Sequence, residues 1–328
     1  MTGRKATVKH ESWPLARPFT ISRGTKTAAE VLTVEIASNG HAGRGECVPY
    51  AHYGETVADV EHDLAMQAQA IEGGLERDVL WYVMAAGAAR NAIDAALWDL
   101  EAKETATPIW KIADVPEPKA ALTAQTISIG TPAAMAEAAA EIATAPLIKI
   151  KLDAESVVER VGAVRKAAPG ARLIADANEA WNLELMKAVL PALADLGVEM
   201  IEQPLPAEDD AGLEGFESPI LLCADESCHT SEGLERLKPL YGMVNIKLDK
   251  TGGLTEALNL ARNAQAMGMK MMIGCMVATS LAMAPAMLLA SFAEYVDLDG
   301  PLLLKNDRAD GLLFKDGFVH PPTSALWG

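Results

Sequence analysis

The 328-residue chain sets 28 Lys and Arg against 45 Asp and Glu, a formal net charge of −17, with half of its residues hydrophobic. That balance excludes a general nucleic-acid binder, whose phosphates require a basic face, and disfavours an anionic substrate unless positive charge is gathered locally. Cys47, Cys223, Cys228 and Cys275 form no CxxC pair and read as reduced thiols. No apolar run approaches the ~20 residues of a membrane span, and MTGRKATVKHESW lacks the apolar centre of a signal peptide, so the expected location is cytoplasmic, with no membrane partner.

In chain order, a strand over Thr7 to Trp13 precedes VLTVEIASNGHAGRGECVPY, whose two strand runs flank Asn39-Gly40, a strong hairpin signal. Helical patterns follow at roughly 55 to 73 and 85 to 104, the second amphipathic through AARNAIDAALWDLEAK. Residues 1–118 therefore read as a separate α+β unit.

From there the chain becomes periodic. Short apolar or alternating runs centre near residues 126, 149, 174, 200, 222, 245, 272 and 297, so successive centres lie 22 to 27 residues apart, with helical sequence between them. Thr131-Pro132 opens one helix, Gly170, Gly197 and Gly268 mark left-handed helix ends, and Pro191 predicts a kink or break. Eight strands each followed by a helix predict a (β/α)₈ TIM-type barrel over 119–300, modified by a short last helix. The segment 301–328 is expected to pack back on the N-terminal capping unit.

In LIKIKLD, residues 147 to 153, Ile148, Ile150 and Leu152 share one face while Leu147, Lys149 and Lys151 share the other. One such strand would be ordinary at a solvated edge. The same parity recurs, however, with Asp176, Glu202, Asp225, Lys247, and Asp297 with Asp299 at successive strand ends. Reactive groups of such barrels gather at the C-terminal ends of the strands, so the charged parity is expected to face the interior. Asp176, Glu202 and Asp225 form an all-oxygen set suited to Mg²⁺, one ion per chain. Lysines from the second and sixth strands would flank it. Cation and neighbouring lysine should lower a lysine pKa toward that of a useful base, suited to proton abstraction beside a carboxylate. Lys250 is a rival to Lys247 by residue type, but lies past the strand end.

These motifs, KxK in LIKIKLD, IADANEAW, IEQP, ADES and NIKLDKTGG, resemble the muconate-lactonizing subgroup of the enolase superfamily over essentially the whole chain. Asp297-Leu298-Asp299 in YVDLDGP resembles the Asp-x-Asp of its dipeptide epimerases, which hold the α-ammonium of L-Ala-D/L-Glu. The resemblance implies Lys151 and Lys247 as bases on opposite faces of the glutamate Cα, with Asp176, Glu202 and Asp225 on Mg²⁺. It implies Lys149 at the substrate carboxylate, Thr126 and Cys275 lining the dipeptide, and a role in murein peptide breakdown. PFTISRGTK and PYAHYGET of the capping unit offer Arg23, and Tyr50 or Tyr53, to the substrate side chain, whereas His52 reads as a surface residue. Alternatives within the subgroup are an o-succinylbenzoate synthase or cycloisomerase and an N-acylamino-acid racemase, both disfavoured by the paired carboxylates. A catalytically silent binding barrel is the alternative of another class. The partner expected is a small dipeptide, and homo-oligomerisation is left open.

Overall fold

The computed structural model describes residues 3–328. Its N-terminal unit is an antiparallel sheet of β1 (Lys5–Ile21), β2 (Gly24–Ser38) and β3 (His41–Cys47), covered by helices Val57–Glu72, Arg77–Val83 and Ala88–Thr105. Asn39 and Gly40 turn between β2 and β3 with φ of 49° and 83°, the left-handed pair that a two-residue hairpin requires. β1 is much longer than Thr7 to Trp13. It runs on to pair Ile21 with Gly24, so PFTISRGTK is itself a hairpin whose turn is Ser22-Arg23.

Beyond a two-residue strand, β4 (Ala121–Leu122), eight parallel strands follow: β5 (Gln125–Ile127), β6 (Leu147–Lys151), β7 (Arg172–Asp176), β8 (Val198–Glu202), β9 (Leu221–Ala224), β10 (Met243–Ile246), β11 (Lys270–Ile273) and β12 (Tyr295–Val296). They pair in sequence order in one curled sheet. Its edges meet where Thr123 bridges Val296 in parallel and the Ala124 N–H donates to Val296 O at 2.8 Å. This is an α/β fold with a smaller N-terminal unit.

Inside the curl, Leu147, Ile174, Met200, Cys223, Met243, Met272 and Tyr295, with Ala124 just before β5, form an apolar layer of one residue per strand. Ile148, Ile150, Leu173, Ala175, Val244 and Ile246 belong instead to the core shared with the helices. Because side chains alternate, the residues two positions further along form the next interior layer: Thr126, Lys149, Asp176, Glu202, Asp225, Asn245, Gly274 and Asp297. Gly274 is required there, since a Cβ would sit 2.6 Å from Asn245 Oδ1. The apolar layer thus floors a ring of polar groups.

Several local expectations change. Between β8 and β9 only a 3₁₀ turn, Asp210–Leu213, replaces the expected helix. Pro191 lies inside an uninterrupted helix, Leu183–Asp195. It lacks one amide donor, but the helix buries Met186, Val189, Leu190 and Leu193, and tertiary packing outweighs that loss. Gly197 and Gly268 have the left-handed φ expected of them, 74° and 72°. Gly170 does not, because its helix ends earlier, at Ala167.

After β12 the chain passes a 3₁₀ turn, Gly300–Leu303, and crosses the N-terminal sheet. Leu304 bridges Leu15, the Lys305 N–H donates to Pro14 O at 2.8 Å, and Arg308 bonds Glu11 and the fully buried Glu46, both at 2.6 Å. The short strands β13 (Phe314–Lys315) and β14 (Phe318–Val319) form an antiparallel pair, and β14 pairs in turn with β4. At the end Trp327 Nε1 donates to Ala95 O and the Gly328 N–H to Asp99. Among the described residues no helix is long and apolar enough to cross a membrane.

Candidate active site

A cavity of about 530 Å³ opens over the C-terminal ends of the parallel strands. Thr126, Lys149, Lys151, Asp225, Lys247, Cys275, Asp297 and Asp299 line its base, while Arg23, Lys26, Tyr50, His52 and Tyr53 of the N-terminal unit line its mouth. Asp176 and Glu202 are fully buried just beneath. All residues singled out from the sequence therefore gather at one place.

The geometry is a lattice of alternating charge. Lys149 Nζ lies 2.6 Å from Glu202 Oε2, 2.7 Å from Asp297 Oδ2 and 3.2 Å from Asp176 Oδ2. Lys151 Nζ donates to Asp176 Oδ2 at 2.5 Å and to Asn178 Oδ1 at 3.2 Å. Lys247 Nζ donates to Asp225 Oδ2 at 2.6 Å, and Asn245 Nδ2 to Glu202 Oε1 at 2.7 Å. Thr126 contributes its backbone N–H to Asp299 Oδ2 at 2.7 Å. Since β6 and β10 are four strands apart in the sheet of eight, Lys151 and Lys247 approach from opposite sides.

The site is short of positive charge. Asp176, Glu202, Asp225, Glu226, Asp297 and Asp299 are six carboxylates, against four lysines, 149, 151, 247 and 250, and Arg23. Burial, then Asp176, pushes Glu202 up to about 7, and burial, then Asp297, pushes Asp299 up to about 7. Among the described residues, Glu202 Oε2 has no well-formed hydrogen bond, and the buried Asp297 Oδ1 has no hydrogen-bond partner. Burial opposes the charge on Lys247, yet Asp225 and Glu202 outweigh it and raise its pKa. The lowering expected from the sequence is therefore not what these carboxylates produce by themselves.

Does this set suit a divalent cation? Asp176, Glu202 and Asp225 end three adjacent strands and supply only oxygen, the donor type of Mg²⁺. Burial, with added repulsion from Asp176 and Asp225, raises Glu202, and a bound cation would relieve that repulsion. Among the described residues no three acidic, His or Cys side chains already converge as a cage, because ammonium groups are interleaved with them. The residues fit the ion in type and charge. His229 follows β9, but its Nε2 faces Glu226 O at 3.1 Å and its ring packs edge-on against Tyr53, away from the carboxylates.

The family models agree with this architecture. Residues 3–113 match the "Mandelate racemase / muconate lactonizing enzyme, N-terminal domain", and residues 133–325 match the "Enolase C-terminal domain-like" model. The chain belongs to the enolase superfamily. A superfamily member from Escherichia coli K12, L-Ala-D/L-Glu epimerase, is 48% identical over 97% of this chain and 99% of its own. N-acetyl-D-glutamate racemase from a Pseudoalteromonas species is 46% identical over 91% and 95%. Among solved structures, an enolase family member from Agrobacterium tumefaciens with homology to dipeptide epimerases, holding sodium and L-Ala-L-Glu, superposes with a TM-score of 0.97 at 47% identity, over 99% and 100% of the two chains. A dipeptide epimerase from Enterococcus faecalis complexed with Mg and L-Leu-L-Tyr gives 0.92 at 30%, over 100% and 99%.

Four functional neighbours escaped the sequence reading of this superfamily member. Asn245 carries the same inward parity as Lys247, so the signal was present in MVNIKL. Asn178 and Glu226 fasten the hairpin turn: Arg23 donates to Glu226 Oε1 at 2.7 Å, Glu179 Oε2 at 3.1 Å, Asn178 O at 3.2 Å and Tyr50 Oη at 3.2 Å, while Ser22 Oγ donates to Asn178 O. His52 joins the same cluster, 2.7 Å from Glu179. Lys26 is the fourth. Its ammonium lies 4.8 Å from the centre of the Tyr50 ring and, among the described residues, has no carboxylate partner.

Proposed function

We propose that the protein is a Mg²⁺-dependent dipeptide epimerase that interconverts L-Ala-D-Glu and L-Ala-L-Glu in the cytoplasmic breakdown of murein peptides. The observation that carries this reading is Asp297 Oδ1, a buried carboxylate oxygen without a partner at the wall of a cavity that two lysines enter from opposite sides. A substrate ammonium supplies the missing donor. We further read the curled sheet as a closed (β/α)₈ barrel over 119–300, capped by residues 1–118, with 301–328 packing back on the cap.

Asp176, Glu202 and Asp225 would hold one Mg²⁺, which when bound would supply Lewis-acid polarisation of the substrate carboxylate and offset the surrounding negative charge. Lys149 steadies that carboxylate from the floor. Lys151 and Lys247 face the glutamate Cα from opposite sides: one accepts its proton as charge spreads into an enediolate, and the other donates a proton to the far face. Asp297 and Asp299 hold the alanine ammonium, with Thr126 fixing Asp299 through its N–H. Cys275 and Tyr53 enclose the dipeptide.

The test is proton NMR of both dipeptides with the protein and Mg²⁺ in D₂O. Deuterium should enter the glutamate Cα as the diastereomers interconvert, and EDTA should stop both. Exchange that survives EDTA, or no exchange with either dipeptide, would refute the assignment. N-Acetyl-D-glutamate belongs in the same assay, given the racemase relative. It offers no ammonium to Asp297 and should turn over more slowly than the dipeptides.

Side-chain recognition falls to the hairpin. Arg23 is already committed to two carboxylates, whereas Lys26 is free to meet the distal carboxylate of the substrate. Lys26→Met should therefore raise KM for Ala-Glu roughly tenfold, the worth of one partly exposed charge-assisted contact, and leave Ala-Gln nearly unchanged. Equal effects on the two dipeptides would remove Lys26 from that role.

A further inference from the structure

Lys250 takes no part in the chemistry above, yet it is among the most deeply buried large side chains in the protein. It sits in the one-turn helix Leu248–Thr251, which continues from β10. An ammonium group has three N–H donors and no acceptor. All three are used: on Asp225 Oδ1 at 2.6 Å, on Asn245 O at 3.0 Å and on the backbone oxygen of Asp225. With its side chain sealed from solvent and every donor engaged, Lys250 can neither touch a substrate nor exchange a proton.

Its bonds divide Asp225 into two unlike halves. Oδ1 and the main chain are tied to Lys250, while Oδ2 alone faces Lys247. The backbone is held a second time, where the Asp225 N–H donates to Gln203 Oε1 at 2.8 Å. The turn that carries Lys250 is itself clamped from the cap, Arg90 donating to Thr251 O at 2.6 Å and Gly252 O at 2.9 Å. We infer that Lys250 is a positioning residue that presets Asp225 to meet the cation through a single oxygen, Oδ2. The inference rests on the assignment of Asp225 as a Mg²⁺ ligand.

Position and charge make opposite demands here, which makes the inference testable. A lysine so near a cation repels it, so charge alone says that Lys250→Met should bind Mg²⁺ more tightly and that Lys250→Arg should bind it as before. If Lys250 acts by orientation, Lys250→Met weakens Mg²⁺ binding on the order of 10- to 100-fold, the usual effect of removing a group that orients a ligand. Lys250→Arg, with the charge kept but a planar fork in place of a compact ammonium, should fall between. Isothermal titration calorimetry with Mg²⁺ and no dipeptide reads this directly, with circular dichroism to confirm the fold. Should Lys250→Met fail to fold, Lys250→Arg against the parent protein still separates the two accounts. Parent-like or tighter binding by the folded variants overturns the inference and spares the metal assignment. A parent protein that binds no Mg²⁺ overturns both.

Discussion

Lys151→Ala and Lys247→Ala should each lower epimerisation by on the order of 10³-fold, within the range that a positioned general acid or base contributes. The more telling result is stereochemical. Because the two ammonium groups enter from β6 and β10 on opposite sides of the cavity, each is expected to serve one face of Cα. In D₂O, one variant should still exchange the α-proton of L-Ala-L-Glu and the other that of L-Ala-D-Glu, although neither interconverts them. The fold should survive both changes. Asp176 keeps Lys149 at 3.2 Å when Lys151 is lost, and Asp225 keeps Lys250 at 2.6 Å when Lys247 is lost. A variant that loses exchange with both dipeptides while binding Mg²⁺ normally would count against two separate bases.

Asp297→Asn is expected to cost on the order of 10²- to 10³-fold in kcat/KM for Ala-Glu, since removing one member of a buried, hydrogen-bonded charge pair costs roughly 2–5 kcal/mol. The asparagine carbonyl can still accept from Lys149, now 2.7 Å from Asp297 Oδ2, so the floor of the site is preserved. Its NH₂ group then points where Oδ1 stood. That end repels an ammonium but can donate to an acyl oxygen, so N-acetyl-glutamate should lose much less and the ratio between the two substrates should shift by at least tenfold. Steady-state kinetics on both compounds decides it: a uniform loss would show that Asp297 acts only through Lys149.

Much of this site was legible because a parallel strand has a period of two and the inside of a curled sheet has one polarity per layer. In LIKIKLD the parity of Lys149 and Lys151 is that of Leu147, which faces the apolar floor, and the same step leads from Ile174 to Asp176, from Met200 to Glu202 and from Cys223 to Asp225. What stayed hidden depends on contacts between distant segments. Nothing near Arg23 in sequence announces Glu226 or Glu179, which fix whether its charge is free. Lys26 stands out only once Arg23 is seen to be committed. The direction of the Lys247 shift likewise turns on how closely Asp225 approaches, which strand parity does not specify. Gly170 and Pro191 carried the right local meaning, but helix length and packing decided their conformations.

The crossing of the C-terminal segment over the first sheet bears on how the protein is made. Glu46 is fully buried on β3, and its guanidinium partner, Arg308, lies 262 residues later. Asp99 likewise accepts from the N–H of the last residue, Gly328. On the ribosome, therefore, the N-terminal sheet is completed only after the parallel sheet that follows it has been made: until residues 304–308 have emerged, Glu46 lacks Arg308 and Leu15 lacks its bridge to Leu304.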